Sequence, residues 1–312
     1  MVFFDICIVF ALIINAYGEY EKNWGYHGNT GPEHWSRMYP NSDCSGKSQS
    51  PIEFSSRSTT YKSFDPLFIT NLVPVHHVEM YLNNDGHSLM VKMNGSEEIS
   101  GAGLGNTYLA EQFHFHWGNN DSVGSEHLID GRQYPAELHI VHYDVDRFNS
   151  IAEAVSQPRG LAVLGFFFEI DGDKTNNAFQ YLVDLIKDVP YKGNSIRFPR
   201  PFDVKTLFPK SLSQYFRYDG SLTTPDCHES VVWTVFNEPI KISKKQVEAF
   251  RNVNTAIHGF RTVRLVDNHR PIQPINNRIV YRSFETSDAS YACVNKVYLM
   301  LAVLMVCLSN FV

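Results

Sequence analysis

The chain has 312 residues, 43% of them hydrophobic and 19% charged, an ordinary globular composition with enough apolar material for a large core. A formal net charge of -6 and a pI near 6.1, with no run of lysine and arginine, leave no electrostatic footprint for a phosphate backbone and argue against nucleic acid as a partner.

Residues 2–14, VFFDICIVFALII, form an apolar stretch too short for a confident bilayer span, followed by Ala16, Tyr17 and Gly18, two small residues flanking a larger one. This order reads as a secretory signal, residues 1–18, cut after Gly18. Asp5 interrupts the run and no basic residue precedes it, so a buried first helix is the competing reading.

From residue 19 to about 286 there is no repeat, no low-complexity linker and no shift in composition, which predicts one domain over 19–286. HSLMVKM at 87, EQFHFHW at 111, AELHIVHY at 136, LAVLGFFFEI at 161 and VVWTVFNEPIKI at 231 are short, β-branched or aromatic, and bounded by turn formers, so each reads as a strand. LAVLGFFFEI is apolar on both faces and belongs in the middle of a sheet. Helical signals are few. Phe179, Leu182, Val183 and Ile186 make one apolar stripe ahead of Pro190, and Ser243 with Gln246 forms a capping box. The predicted fold is predominantly β: a large central twisted sheet, mostly antiparallel, with short peripheral helices.

Two sequons, at Asn94 and Asn120, fit passage through the secretory pathway. At the C-terminus, Ser287, Asp288, Ala289 and Ser290 precede a short spacer to Lys296 and then VYLMLAVLMVCLSNFV. Small residues, spacer and hydrophobic tail in that order predict that 287–312 is a signal for a glycosylphosphatidylinositol (GPI) anchor, placing the domain on the outer face of the plasma membrane. A short transmembrane anchor and a core helix are the rivals. Of five cysteines, Cys7 lies in the leader and Cys293 and Cys307 in the tail, which leaves Cys44 and Cys227. In an oxidising compartment that pair is expected to bridge, for ~4 kcal/mol; two free buried thiols are the alternative.

Side chains alternate faces along a strand, so Gln112, His114 and His116 share one face while Phe113, Phe115 and Trp117 share the other. Likewise Glu137, His139 and Val141 point one way, and Leu138, Ile140 and His142 the other. Two neighbouring strands thereby aim three imidazoles at one point. Three neutral imidazoles with an open fourth position are the donor set of a catalytic zinc, which acidifies its water to a pKa of ~7. Gln112 and Glu137 are phased to accept ring N–H groups from His114 and His139 and so fix their tautomers. A lone histidine in a strand is more often a core or surface residue; the third histidine and the phased acceptors favour metal.

GPEHW (31–35), QSPI (49–52), QFHFHWG (112–118), GSEH (124–127), AELHIVH (136–142), LAVLGFF (161–167), GSLTTP (220–225) and RPIQP (270–274) resemble the alpha-class carbonic anhydrases, in that family's order and spacing. The resemblance covers nearly all of the predicted domain and points to the secreted or GPI-anchored type. It implies that His114, His116 and His139 bind one Zn²⁺ per chain, with Gln112 and Glu137 behind them. It implies that Thr223 accepts a hydrogen bond from the zinc-bound hydroxide while donating to Glu126, and that Thr224 lines the substrate side. Val141, Val163, Leu222 and Trp233 become the wall against which carbon dioxide rests. His87 becomes the shuttle that carries the proton to bulk, with Tyr26 and Asn84 ordering the connecting waters, and Cys44–Cys227 the bridge that tethers the GSLTTP loop. The implied reaction is reversible hydration of carbon dioxide to bicarbonate; a catalytically silent binding or adhesion module on the same fold is the alternative. The chain departs from the family's pattern at Asp85, Met90, Asp226 and His269, none of them a ligand.

Overall fold

The computed structural model describes residues 24–71, 75–93, 97–258 and 261–285. The signal and anchor readings over 1–18 and 287–312, and the sequon at Asn94, lie outside the described residues. Among the described residues no helix is long and apolar enough to cross a membrane.

The five segments rich in β-branched and aromatic residues lie side by side in a 12-stranded sheet. Across it run Ser195–Arg197, Tyr81–Asn84, Leu89–Lys92, Tyr108–Trp117, Ala136–Asp144, Leu161–Ile170, Val231–Ile242, Tyr215–Gly220, Tyr281–Arg282 and Thr60–Tyr61, each paired with the next. Glu97–Gly101 pairs with both Tyr108–Trp117 and Leu67–Asn71. Pairing is antiparallel except between Leu161–Ile170 and Val231–Ile242, and between Tyr281–Arg282 and Thr60–Tyr61. The sheet is thus mostly antiparallel, as expected, with a parallel pairing between two of its central strands. Such a sheet carries a right-handed strand twist.

Alternation along the strands sends side chains into two apolar clusters, one on each face. Phe113, Phe115, Trp117, Leu138, Ile140, Ala162, Leu164, Phe166 and Phe168 join the larger cluster. Val141, Leu161, Val163, Phe167 and Trp233 join the other, which places the central strands between two dry layers as the sequence requires. The first expected strand starts later than the residues HSLMVKM suggest. Asp85 Oδ1 accepts the backbone N–H groups of His87 and Ser88, both at 2.7 Å, so these residues form a turn and pairing begins at Leu89.

The Asn177–Ile186 helix buries Phe179, Leu182, Leu185 and Ile186; its N-terminus is capped by the Asn176 side chain. Lys244–Arg251 carries the capping box, with Ser243 and Gln246 each bonding the other's backbone. Cys44 and Cys227 form a disulfide across a separation of 183 residues and pack against Trp35.

Candidate metal centre

The sheet register brings the three histidines together. Tyr108–Trp117 and Ala136–Asp144 pair so that His114 faces His139 and His116 faces Glu137. The three ring centroids lie 4.7 to 5.3 Å apart, and one nitrogen from each ring falls within 4.8 Å of the others.

Each ring is held from behind at its other nitrogen. Gln112 Oε1 lies 2.9 Å from His114 Nδ1, and Glu137 Oε1 lies 2.8 Å from His139 Nε2, the two acceptors that strand phasing picks out. The carbonyl of Asn268 lies 2.7 Å from His116 Nδ1. These bonds fix the tautomers and turn His114 Nε2, His116 Nε2 and His139 Nδ1 toward one another. Burial lowers the pKa of all three: His114 well below the usual value, His116 to about 4, and His139 against the opposing pull of Glu137. All are neutral at pH 7, so three lone pairs converge.

Whether a metal fits is decided at His116. Its Nε2 is fully buried and has no hydrogen-bond partner among the described residues. A lone pair removed from water without a donor is costly, and a cation removes that cost. Three neutral imidazoles converging on one point are zinc's preferred donors. His127, Glu137 and His139 also lie within metal-binding reach of one another, but there the carboxylate is already saturated. Glu137 accepts from the rings of His139 and His127 at 2.8 and 2.7 Å and from the backbone N–H groups of Glu126 and His127, both at 2.9 Å. Burial works to raise its pKa; His127 and His139 override burial and hold it well below the carboxylate range.

Glu126, 1% exposed, accepts the Arg270 backbone N–H at 2.8 Å and the Thr223 hydroxyl. Burial pushes its pKa up to about 7 against the pull of His139, the Arg270 N–H and Thr223. A cation at the three imidazoles favours its ionised form. The GSLTTP loop that carries Thr223 and Thr224 is anchored by Leu222 N to His228 O, by Cys227 N to Thr224 O and by the disulfide.

Val141, Val163 and Trp233 sit at facing register positions on three adjacent strands, and Leu222 packs against their cluster. The Trp233 ring is 4.8 Å from that of His139, so the apolar wall adjoins the ligands. His87 stacks on Trp24 with centroids 3.8 Å apart, and Tyr26 meets Trp24 edge-on at 5.4 Å. Burial, with Glu126 and Asp85 nearby, raises the Tyr26 pKa well above its usual value, which keeps the phenol protonated. Asn84 has a different position from the one expected. It is 1% exposed, donates to the carbonyls of Val189 and Asn254, and accepts the Gly86 N–H, so both its N–H groups are spent holding the turn that carries His87. Met90 lies directly across the ladder from His114. Asn120 is exposed in a turn closed by its own Oδ1 on Ser122 N.

Several contributors escape sequence reasoning. Asn268 holds His116 through its carbonyl and, through its side-chain amide, bonds Trp117 N, Phe115 O and His87 O, while Arg270 reaches Glu126 through its backbone N–H. His127 bridges Glu137 and the Tyr218 hydroxyl, each at 2.7 Å, and its only cue was adjacency to Glu126. Gly165 faces His139 across the ladder, and a Cβ there would come within 3.3 Å of Glu137 Oε1. A glycine inside an apolar strand was the available hint.

The model of the eukaryotic-type carbonic anhydrase family matches residues 30–284. Human carbonic anhydrase 7 is 39% identical over 265 residues, 84% of this chain and 97% of its own length. Mouse carbonic anhydrase 7 is 39% identical over 266 residues, covering 84% and 97%. Carbonic anhydrase 1 of Monodelphis domestica is 36% identical over 267 residues, covering 84% and 98%. A match running the length of the described sheet, on a chain whose three-histidine centre fits zinc, places this protein in the eukaryotic-type carbonic anhydrase family, zinc-dependent enzymes that hydrate carbon dioxide.

Proposed function

We propose that the protein interconverts carbon dioxide and bicarbonate at the outer cell surface, with His114, His116 and His139 holding one Zn²⁺. The observation that carries this reading is the convergence of three neutral, tautomer-fixed imidazoles beside the wall of Val141, Val163 and Trp233. Zinc bound there supplies a Lewis acid that makes water nucleophilic near neutral pH.

The chain's own residues do the rest. Thr223, whose hydroxyl hydrogen is committed to Glu126, can only accept from the attacking water and so orients one lone pair toward the substrate carbon. Thr224 borders the substrate. Val141, Val163, Leu222 and Trp233 offer carbon dioxide a surface without donors, which holds the uncharged molecule weakly and gives bicarbonate no reason to stay. Hydration releases one proton per bicarbonate. His87 takes it through ordered water beside Tyr26 and delivers it to bulk, a task suited to imidazole near neutrality. The stack on Trp24 sets the ring's place.

The signal at 1–18, the anchor signal at 287–312 and glycosylation at Asn94 and Asn120 make up the proposed route to the surface. Phosphatidylinositol-specific phospholipase should release the protein from intact cells; retention contradicts the lipid anchor. For the chemistry, Thr223→Ala should lower kcat/KM for hydration by about 10²-fold, as for loss of one orienting donor or acceptor at a reacting oxygen, with zinc content unchanged. Full activity in that variant contradicts the relay.

A further inference from the structure

A pocket of about 90 Å³, lined by none of the histidines, lies toward one end of the sheet beside Tyr215–Gly220 and Tyr281–Arg282. Lys62, Arg159 and Arg217 line it with a single carboxylate, Asp219. Asp219 is taken by the Arg159 guanidinium at 2.5 Å. Neither Lys62 nor Arg217 pairs with a carboxylate among the described residues, although the whole chain carries a net charge of -6. Such a local excess of cations on an acidic protein requires a reason.

Arg217 is 5% exposed. Its Nη1 donates to Ala102 O at 2.7 Å, and its Nε and Nη2 donate to Thr234 Oγ1 at 3.2 and 2.8 Å. A guanidinium has five N–H groups, so two remain without an acceptor among the described residues. Lys62 Nζ and the Arg217 guanidinium both lie against the Phe64 ring, at 5.2 and 5.5 Å from its centroid. Each also has a ring of its own, Tyr281 at 4.7 Å from Lys62 Nζ and Tyr215 at 5.5 Å from the Arg217 guanidinium, but two like charges share Phe64. Gly103, at φ +71°, keeps the approach open: a Cβ there would meet Phe64 at 2.9 Å and stand 4.0 Å from Arg217 Nη1.

We propose that this pocket binds a small inorganic oxyanion, held between the Arg217 guanidinium and the Lys62 ammonium, with Arg159 and its Asp219 partner at the rim. Sulfate, hydrogen phosphate and bicarbonate share the needed chemistry: compact size, at least three oxygen acceptors and negative charge. Burial lowers the Arg217 pKa to about 10, which leaves the group cationic at neutral pH. The ring contacts supply part of the stabilisation of each cation, and the anion supplies the missing counter-charge and acceptors.

The test is thermal unfolding of the zinc-loaded protein in sulfate, phosphate or bicarbonate, each against chloride at matched ionic strength. An oxyanion at ten times its Kd should raise Tm by about 3 °C over chloride. Lys62→Gln should weaken the anion about tenfold, the worth of one partly screened charge at short range, with hydration unchanged. Arg217→Gln should abolish the shift; if it does not fold, the exposed Lys62 still decides the matter. Stronger stabilisation by sulfate and phosphate assigns the pocket to tetrahedral anions, and stronger stabilisation by bicarbonate assigns it to the reaction's own product. Equal shifts in chloride and every oxyanion, or a shift undiminished in Lys62→Gln, overturns the proposal.

Discussion

Replacing Glu137 by glutamine tests how far the acceptors behind the ligands govern the metal. The carboxylate is completely buried and receives four N–H groups between 2.7 and 2.9 Å. An amide of the same shape keeps one acceptor oxygen and presents an NH₂ where the other stood, so two of the four donors lose their partner. Each buried unsatisfied donor costs about 1–3 kcal/mol, a loss of about 2–6 kcal/mol in folding stability. If the NH₂ replaces Oε1, the rings of His127 and His139 are the donors deprived. His139 then no longer holds its proton on Nε2, and Nδ1 ceases to be a dependable ligand. Zinc affinity should fall about 10- to 100-fold. Competition with a chromophoric chelator at pH 7.5 measures the affinity, and near-ultraviolet circular dichroism shows whether the variant is folded. A folded Glu137→Gln protein that binds zinc within twofold of the native chain would refute the reasoning.

Three further outcomes are expected. His142, buried and bonded to the Ile140 carbonyl at 3.0 Å, has its pKa lowered to about 4 by burial. The unfolded chain therefore binds the extra proton first, and stability present above pH 6.5 is lost as pH falls toward 4. This group contributes about 3 kcal/mol of that loss, so denaturant titrations of His142→Gln should show a correspondingly flatter acid limb; an identical limb contradicts the assignment. Cys227→Ser should cost about 2–5 kcal/mol by opening a loop of 183 residues, measured as a lower urea midpoint, and an unchanged midpoint contradicts it. His87→Ala should slow hydration turnover about ten- to a hundredfold while kcat/KM stays near its native value, because proton export rather than carbon dioxide attack is impaired. Added imidazole should restore part of the rate.

What the sequence makes legible depends on whether a residue acts through its side chain. Strand phasing alone places His114, His116 and His139 together and selects Gln112 and Glu137 as their acceptors, because alternation is a strict geometric rule. VVWTVFNEPIKI runs as one strand from Val231 to Ile242, as its apolar run implies. The mixed character of the sheet was hidden, since no pattern within LAVLGFFFEI tells whether its neighbour runs parallel. The partner of His116 was hidden too: Asn268 is 152 residues away and uses a main-chain carbonyl that any residue could supply. Asn84, which the resemblance assigns to the water network, spends its hydrogen bonds within the protein. The turn around Asp85 and Gly86 needs its hydrogen bonds internally, and only the folded backbone reveals that need.

The most direct test is stopped-flow hydration of carbon dioxide by the purified protein with intact disulfide, with zinc determined on the same sample. The account predicts about one zinc per chain and fast hydration, both lost in His139→Ala. A full complement of zinc without hydration would contradict it and leave a binding module on a carbonic anhydrase scaffold.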